Sequence, residues 1–132
     1  MLSMFYAAVL ALIYVGLSLY VVKGRWQHRA ALGHGPDSVL ERRVRMHGNF
    51  AEYVPIALIL LFMLDVAKFP PLGMHILGIM LLAGRVLHLW GLNKAPVSKG
   101  RFIGMVLTLL MILIAALLLL YHFFMILMTG FN

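Results

Sequence analysis

The sequence contains no cysteine and only four acidic residues, and charged side chains make up 11% of its 132 residues. Without cysteine there is no disulfide framework, no thiolate metal site and no nucleophilic thiol of the chain's own. The six histidines (His28, His34, His47, His75, His88 and His122) form no i, i+4 pair on any helix. That spacing speaks against zinc, and no metal is expected. No G-x-S-x-G or other nucleophile motif is present, and no internal repeat is clear enough to use. What the chain has in abundance is apolar: 64% hydrophobic residues and a mean hydropathy of +1.00. Soluble domains hold about 45–50% apolar and about 25% charged residues. This composition is that of an integral membrane protein, and the length allows one domain.

The net charge of +7 is concentrated in two places. Lys23, Arg25, Arg29, Arg42, Arg43 and Arg45 lie between the first two apolar stretches, and Lys94, Lys99 and Arg101 between the last two. This is a topology signal rather than a phosphate-binding face, and nucleic acid is not an expected partner. Segments 2–22, 72–92 and 102–128 are each long enough to cross a bilayer, which takes about 20 mostly apolar residues. The first has no basic n-region and no A-x-A site, so it does not read as a cleaved signal peptide. The remaining uninterrupted apolar run, 54–64, covers only about 16 Å as a helix. It is either re-entrant or the second half of a span whose first half is polar. Sidedness decides: three crossings would put the two basic segments in opposite compartments, whereas four put both on one side, as the positive-inside rule prefers. The expected architecture is therefore an all-α integral membrane protein, a bundle of four transmembrane helices at about 2–22, 39–65, 72–92 and 102–128. Both basic loops are expected to be cytoplasmic and both termini on the opposite side. "GHGPDS" (33–38), "KFPPLG" (68–73) and "NKAPVSKGR" (93–101) carry loop chemistry, and Ser38 with Glu41 reads as a capping box.

The polar half of the second span is "ERRVRMHGNFAEYVP", 41–55. At about 100° per residue, with Arg45 at zero, Asn49 falls near about 40°, Glu52 about −20° and Glu41 about −40°. Arg42 and Tyr53 lie at the edge of that face, and Arg43 and His47 on the opposite side. A charge at a helix centre costs roughly 2.5–3.5 kcal/mol on insertion scales. Such residues face a bundle interior or a wet cavity and mark a functional site by default. Three readings stand open: a structural network joining Glu52 to Arg45 or to Arg85, a polar ligand site, or an ion path. As a ligand site, the face offers guanidinium forks for carboxylates, a carboxylate for an ammonium and an amide that serves either. It suits an amino-acid-like or peptide-like zwitterion.

The same stretch resembles the signature of the MAPEG family, the membrane-associated proteins in eicosanoid and glutathione metabolism. The family pattern E-R-x-x-R-x-x-x-N-x-x-E-Y-x-P is met at Glu41, Arg42, Arg45, Asn49, Glu52, Tyr53 and Pro55. "HGNFAEYVP" and "LLAGRVLH" are similar to the small bacterial inner-membrane type. The resemblance implies a homotrimer with glutathione, as co-substrate, bound between subunits near the cytoplasmic membrane edge. It makes Arg45, Asn49, Glu52 and Tyr53 glutathione-contacting positions, with Arg42 a neighbouring basic one. Arg25, with Ser18 two turns earlier, matches an arginine that reaches the glutathione of the adjacent subunit. Arg85 holds the family's third-helix arginine. His88 stands where a glutathione-contacting tyrosine usually is, and two roles are open to it: a donor in place of that hydroxyl, or a helix-end residue facing headgroups. Leu92 departs from the pattern, standing in place of a second tyrosine. In catalytic members an arginine at the start of the fourth helix stabilises the thiolate; here Lys99 or Arg101 fills that slot, and Arg101 is preferred because it opens "RFIGMVLTLL".

The resemblance thus implies a glutathione transferase or peroxidase acting on a lipophilic electrophile or lipid hydroperoxide that enters from the bilayer. A non-catalytic glutathione- or lipid-binding adaptor of the same fold is the alternative. A small multidrug exporter is a remote one, because 2–22 contains no acidic residue. Trp26, Trp90 and Tyr20 are expected in the interfacial belt, and Asp65 with Lys68 on the surface or as a local pair.

Overall fold

The structure, a computed structural model, describes residues 1–30, 38–94 and 98–130, the side chain of Ser38 excepted. Four helices account for nearly all of them: α1 (Ser3–Gln27), α2 (Ser38–Val66), α3 (Pro71–Lys94) and α4 (Lys99–Thr129). Each is long and apolar enough to cross a membrane, and no strand occurs among the described residues. The loop expected at 33–38 and the capping role of Ser38 fall outside the described residues. So does the middle of the 93–101 connection.

The helices outrun their hydropathy. α1 continues through Lys23 and Arg25 to Gln27, five residues beyond the predicted apolar end at 22, and α4 opens at Lys99 instead of 102. Hydropathy reports the depth of a residue in the bilayer, while a helix persists for as long as its main-chain bonds are met. α2 runs without a break through Pro55. Pro71 opens α3, where its missing N–H costs nothing. Ser98 caps α4: its backbone is extended (φ −146°, ψ 150°) and its Oγ accepts from the Arg101 N–H at 3.2 Å.

Two helix ends close the same way. At the end of α2 the Phe69 N–H reaches back to Leu64 O (3.0 Å) and the Lys68 N–H to Asp65 O (3.1 Å). After α1, Ala30 bonds to Arg25 O (3.0 Å) and Arg29 to Trp26 O (3.4 Å). These are paired six-to-one and five-to-two bonds, which put the intervening residue in the left-handed region. Lys68 (φ 58°) and Arg29 (φ 51°) occupy it where glycine is usual. Lys68→Gly is therefore expected to raise stability by about 1 kcal/mol. Thermal melting in detergent checks this, and an unchanged or lower midpoint refutes it.

Asp65, half-buried at the end of α2, pairs with Ser3 and not with Lys68. Its carboxylate accepts from the Ser3 N–H at 2.8 Å and from the Ser3 hydroxyl at 2.6 Å. The N-terminus of α1 lacks a cap from its own preceding residue, and α2 supplies one from its far end.

The core runs along the bundle axis through Tyr6, Leu10, Phe50, Ala57, Leu61, Met74, Leu81, Met111 and Ala115. Much of the apolar surface points outward: Leu12, Ile59, Phe62, Leu72, Ile79 and Leu113 are all exposed. So is every residue of α4 from 120 to its end. A soluble monomer rarely carries apolar patches of that extent, whereas lipid tails cover them without penalty. Trp26 and Trp90 stand exposed near the basic end of the bundle, with the Lys94 Nζ 3.8 Å from the Trp90 ring centre.

α3 and α4 pack backbone against backbone. A Cβ at Gly104 would strike the main-chain nitrogen of His88 and the carbonyl oxygen of Gly84, and one at Gly91 the main-chain nitrogen of Arg101. Without a hydrophobic driving force between helices in lipid, small residues that allow such approach carry the packing. This seam fixes where the start of α4 lies against the end of α3, and so builds one wall of the cleft.

Candidate functional site

At the end of the bundle that carries both basic segments lies an open cleft of about 860 Å³. α2 supplies Glu41, Arg42, Val44, Arg45, Gly48, Asn49 and Glu52; α3 supplies His88 and Leu92; α4 supplies Arg101. The helical spacing of the 41–52 face thus opens into one space, and two further helices close on it. Arg43 and His47 turn the other way, as their angles require. Arg43 stacks over the Tyr20 ring at 4.2 Å and donates to Gln27 Oε1 at 3.3 Å, while His47 Nε2 meets the Ser18 hydroxyl at 3.1 Å.

The structural network that is one of the three open readings, a salt bridge from Glu52 to Arg45 or Arg85, is not formed. Arg45 lies 3.9 Å from Glu41 instead, one turn back, with the Arg45 side chain 76% exposed. So exposed a pair holds little together. Glu52 is itself exposed on the single chain.

The resemblance makes Arg85 a glutathione-binding position, and on the single chain it stands behind the cleft wall. It is fully buried, does not line the cleft, and spends its guanidinium inside the bundle. Nε and Nη2 both donate to the Thr108 hydroxyl (2.9 and 2.6 Å), and Nη1 donates to Asn49 Oδ1 at 3.0 Å. Thr108 in turn donates to Gly104 O at 2.9 Å. Among the described residues no carboxylate lies within ion-pair distance of Arg85, so the buried charge rests on neutral oxygens. Tyr53 is likewise absent from the cleft lining; its ring centre lies 5.6 Å from the Arg85 guanidinium. These two residues stand behind Asn49. Because Arg85 only donates, it claims the Asn49 oxygen and leaves the Asn49 amide N–H groups to the cleft.

His88 is buried but forms part of the cleft wall. Its Nδ1 lies 3.2 Å from the main-chain oxygen of Arg101. Leu92 contributes an apolar patch beside it. Of the two candidates at the start of α4, Arg101 lines the cleft and Lys99 does not. Arg25 is on another part of the surface, bordering a smaller hollow of about 390 Å³ with Val22, Trp26, Arg29 and Ala30.

Sequence reasoning missed Thr108 and the glycine seam. The signal was present as Gly100, Gly104 and Thr108, small residues four apart on one face of α4.

Fold and cleft together define a class: a four-span helical membrane protein with a two-signed polar cleft cut into one end. Within it, the profile of the MAPEG family matches residues 3–121, and the chain belongs to that family. It is similar to "Inner membrane protein YecN" of Escherichia coli K12, at 41% identity over 93 residues, 70% of this chain and 71% of that protein. The YecN of E. coli O6:H1 strain CFT073 matches to the same extent.

Proposed function

We propose that the protein binds glutathione in the cleft and uses its thiolate on a lipophilic partner, by conjugation to an electrophile or reduction of a lipid hydroperoxide. The observation that carries this reading is the pairing of charges in one open cleft. Arg42, Arg45 and Arg101 suit carboxylates and a thiolate, Glu41 and Glu52 suit an ammonium, and Asn49 presents N–H donors. A γ-glutamyl tripeptide carries one ammonium, two carboxylates and a thiol. The motif shared with the family supports the same ligand.

The working unit in this reading is a homotrimer in the bacterial inner membrane, with the basic loops cytoplasmic. Arg45 and Glu52 are exposed on the single chain inside a membrane-spanning helix, where a lipid-facing charge is expensive. A second copy laid over that face relieves the cost, and Arg25, remote from its own subunit's cleft, would reach the neighbour's.

Calorimetric titration of glutathione into the detergent-purified protein tests the binding. Arg45→Ala and Glu52→Gln are each expected to weaken binding by about tenfold or more, given about 1.5–3 kcal/mol for a hydrogen bond to a charged group. No heat of binding to the folded wild type sinks the reading. The second reading, a non-catalytic binder, is favoured by Leu92, which gives the thiol end of the cleft an apolar side chain where the family pattern has a hydroxyl. It is distinguished by binding without turnover.

A further inference from the structure

His88 is held in one orientation by the main chain. The oxygen of Arg101 that it meets at 3.2 Å is a carbonyl, which only accepts, so the bond requires the proton to be on Nδ1. In the neutral ring Nε2 then carries a lone pair. Nε2 has no hydrogen-bond partner among the described residues, nor is it sealed in. The only sealed, unpartnered side-chain nitrogens or oxygens among them are Nε of Arg25 and Nε of Arg43. With the ring in the cleft wall and Nδ1 turned to α4, Nε2 is the nitrogen left for the cleft. In the neutral ring this nitrogen accepts; the donor role that the resemblance implies falls to it once the ring is protonated.

A thiol attacks only after losing its proton. Arg101 can stabilise the resulting charge but has no lone pair with which to take the proton. His88 and Arg101 meet across the α3–α4 seam, one with a lone pair and the other with a permanent cation, in the same cleft.

The geometry points to His88 as the general base, a catalytic residue whose Nε2 takes the proton from the thiol of glutathione bound in the cleft. This rests on the glutathione-dependent reading above. The S–H bond breaks, an Nε2–H bond forms, and the sulfur keeps the electron pair as thiolate beside Arg101. In conjugation by addition, the thiolate forms the S–C bond, the electrophile's displaced electron pair becomes an anion, and the imidazolium returns the proton to it. With an aryl halide the S–C bond forms, the carbon–halogen bond breaks, the halide leaves with that electron pair, and the imidazolium gives its proton to solvent. The charges that act on the ring are Arg85 on its own helix and Arg101 on α4, and Glu41, Arg42, Arg45 and Glu52 line the same cleft from α2.

His88→Asn separates this role from a merely structural one. Asparagine keeps a donor at the Nδ1 position for the Arg101 carbonyl and has no basic nitrogen. The variant is expected to bind glutathione within about tenfold of the wild type, as the thiol rather than the thiolate, while kcat falls by about 10²–10⁴, the usual contribution of a positioned base. With an aryl halide as electrophile, its rate should follow hydroxide across the pH range, without the limb that a histidine gives the wild type. A second measurement uses the wild type alone. Ultraviolet absorbance of bound glutathione should show thiolate at neutral pH, while calorimetry in buffers of different ionisation enthalpy shows almost no proton release, the proton having moved to the protein. Release of about one proton per thiolate, as linkage requires when the protein takes none, overturns the assignment. So does the absence of thiolate at saturating glutathione, or a His88→Asn variant with wild-type rate and pH profile. Failure of glutathione to bind the folded wild type is a different result: it overturns the proposed function itself.

Discussion

Arg101→Ala is expected to bind glutathione close to the wild-type level and to turn over about 10²–10³-fold more slowly, the loss typical of removing one donor aimed at developing negative charge. The separation of binding from rate follows from the cleft. The contacts suited to the tripeptide's charged ends, Arg45, Asn49 and Glu52, all lie on α2, whereas Arg101 enters from α4 next to His88. Its guanidinium has most to offer when the sulfur is charged, so its loss lowers the fraction of bound glutathione held as thiolate, and kcat falls with that fraction. Lys99→Ala, two residues earlier and outside the cleft lining, should leave the rate near the wild-type value. Steady-state kinetics with an aryl halide and with an organic hydroperoxide check both variants. A full loss in Lys99→Ala with Arg101→Ala unaffected would invert the assignment. A loss of binding rather than rate in Arg101→Ala would make it a carboxylate anchor instead.

Gly104→Leu is expected to cost about 3 kcal/mol or more, at or beyond the upper end for overpacking. Overpacking is usually eased by side chains changing rotamer, but the atoms in the way here are the main-chain nitrogen of His88 and the carbonyl oxygen of Gly84. Relief requires the whole of α3 to move off α4. That motion would part His88 from the Arg101 carbonyl and Thr108 from the Arg85 guanidinium, so two polar arrangements fail with the packing. Circular dichroism melting in detergent measures the loss. Gly104→Ala should give a smaller deficit of the same sign, because the first added carbon already meets the same two atoms. A melting midpoint for Gly104→Leu equal to that of the wild type would show that the seam is not closed in the way the structure draws it.

Much of this was legible in the sequence, for definite reasons. Four spans can be read because a bilayer demands a length, and the 11-residue apolar run of the second was rescued by the charges around it. The Arg45–Asn49–Glu52 face can be read because helical geometry alone puts positions 0, 4 and 7 on one side. The role of Arg85 could not. Its partners, Asn49 and Thr108, lie on two other helices, 36 and 23 residues away, and spacing along one helix carries no information on the register between helices. The same blindness hid the cap that Asp65 places on Ser3, 62 residues distant. Ser98 went unread for another reason: its capping depends on an extended backbone at one residue, and the Lys-Gly-Arg that follows lacks the acidic partner that makes such caps visible.

The atom that steadies His88 is a carbonyl of the peptide chain, and that has a consequence for how this protein can change over time. Every residue type has a main-chain oxygen, so any replacement at 101 that keeps the helix start in place leaves the imidazole posed as before. The chemistry offered by the side chain at 101 and the posture of the residue at 88 can therefore be inherited independently. A lineage can exchange arginine there for lysine, serine or an apolar residue without dismantling the neighbouring half of the site. What it cannot exchange freely is a residue with no chemistry at all: Gly104, on which the shared geometry rests.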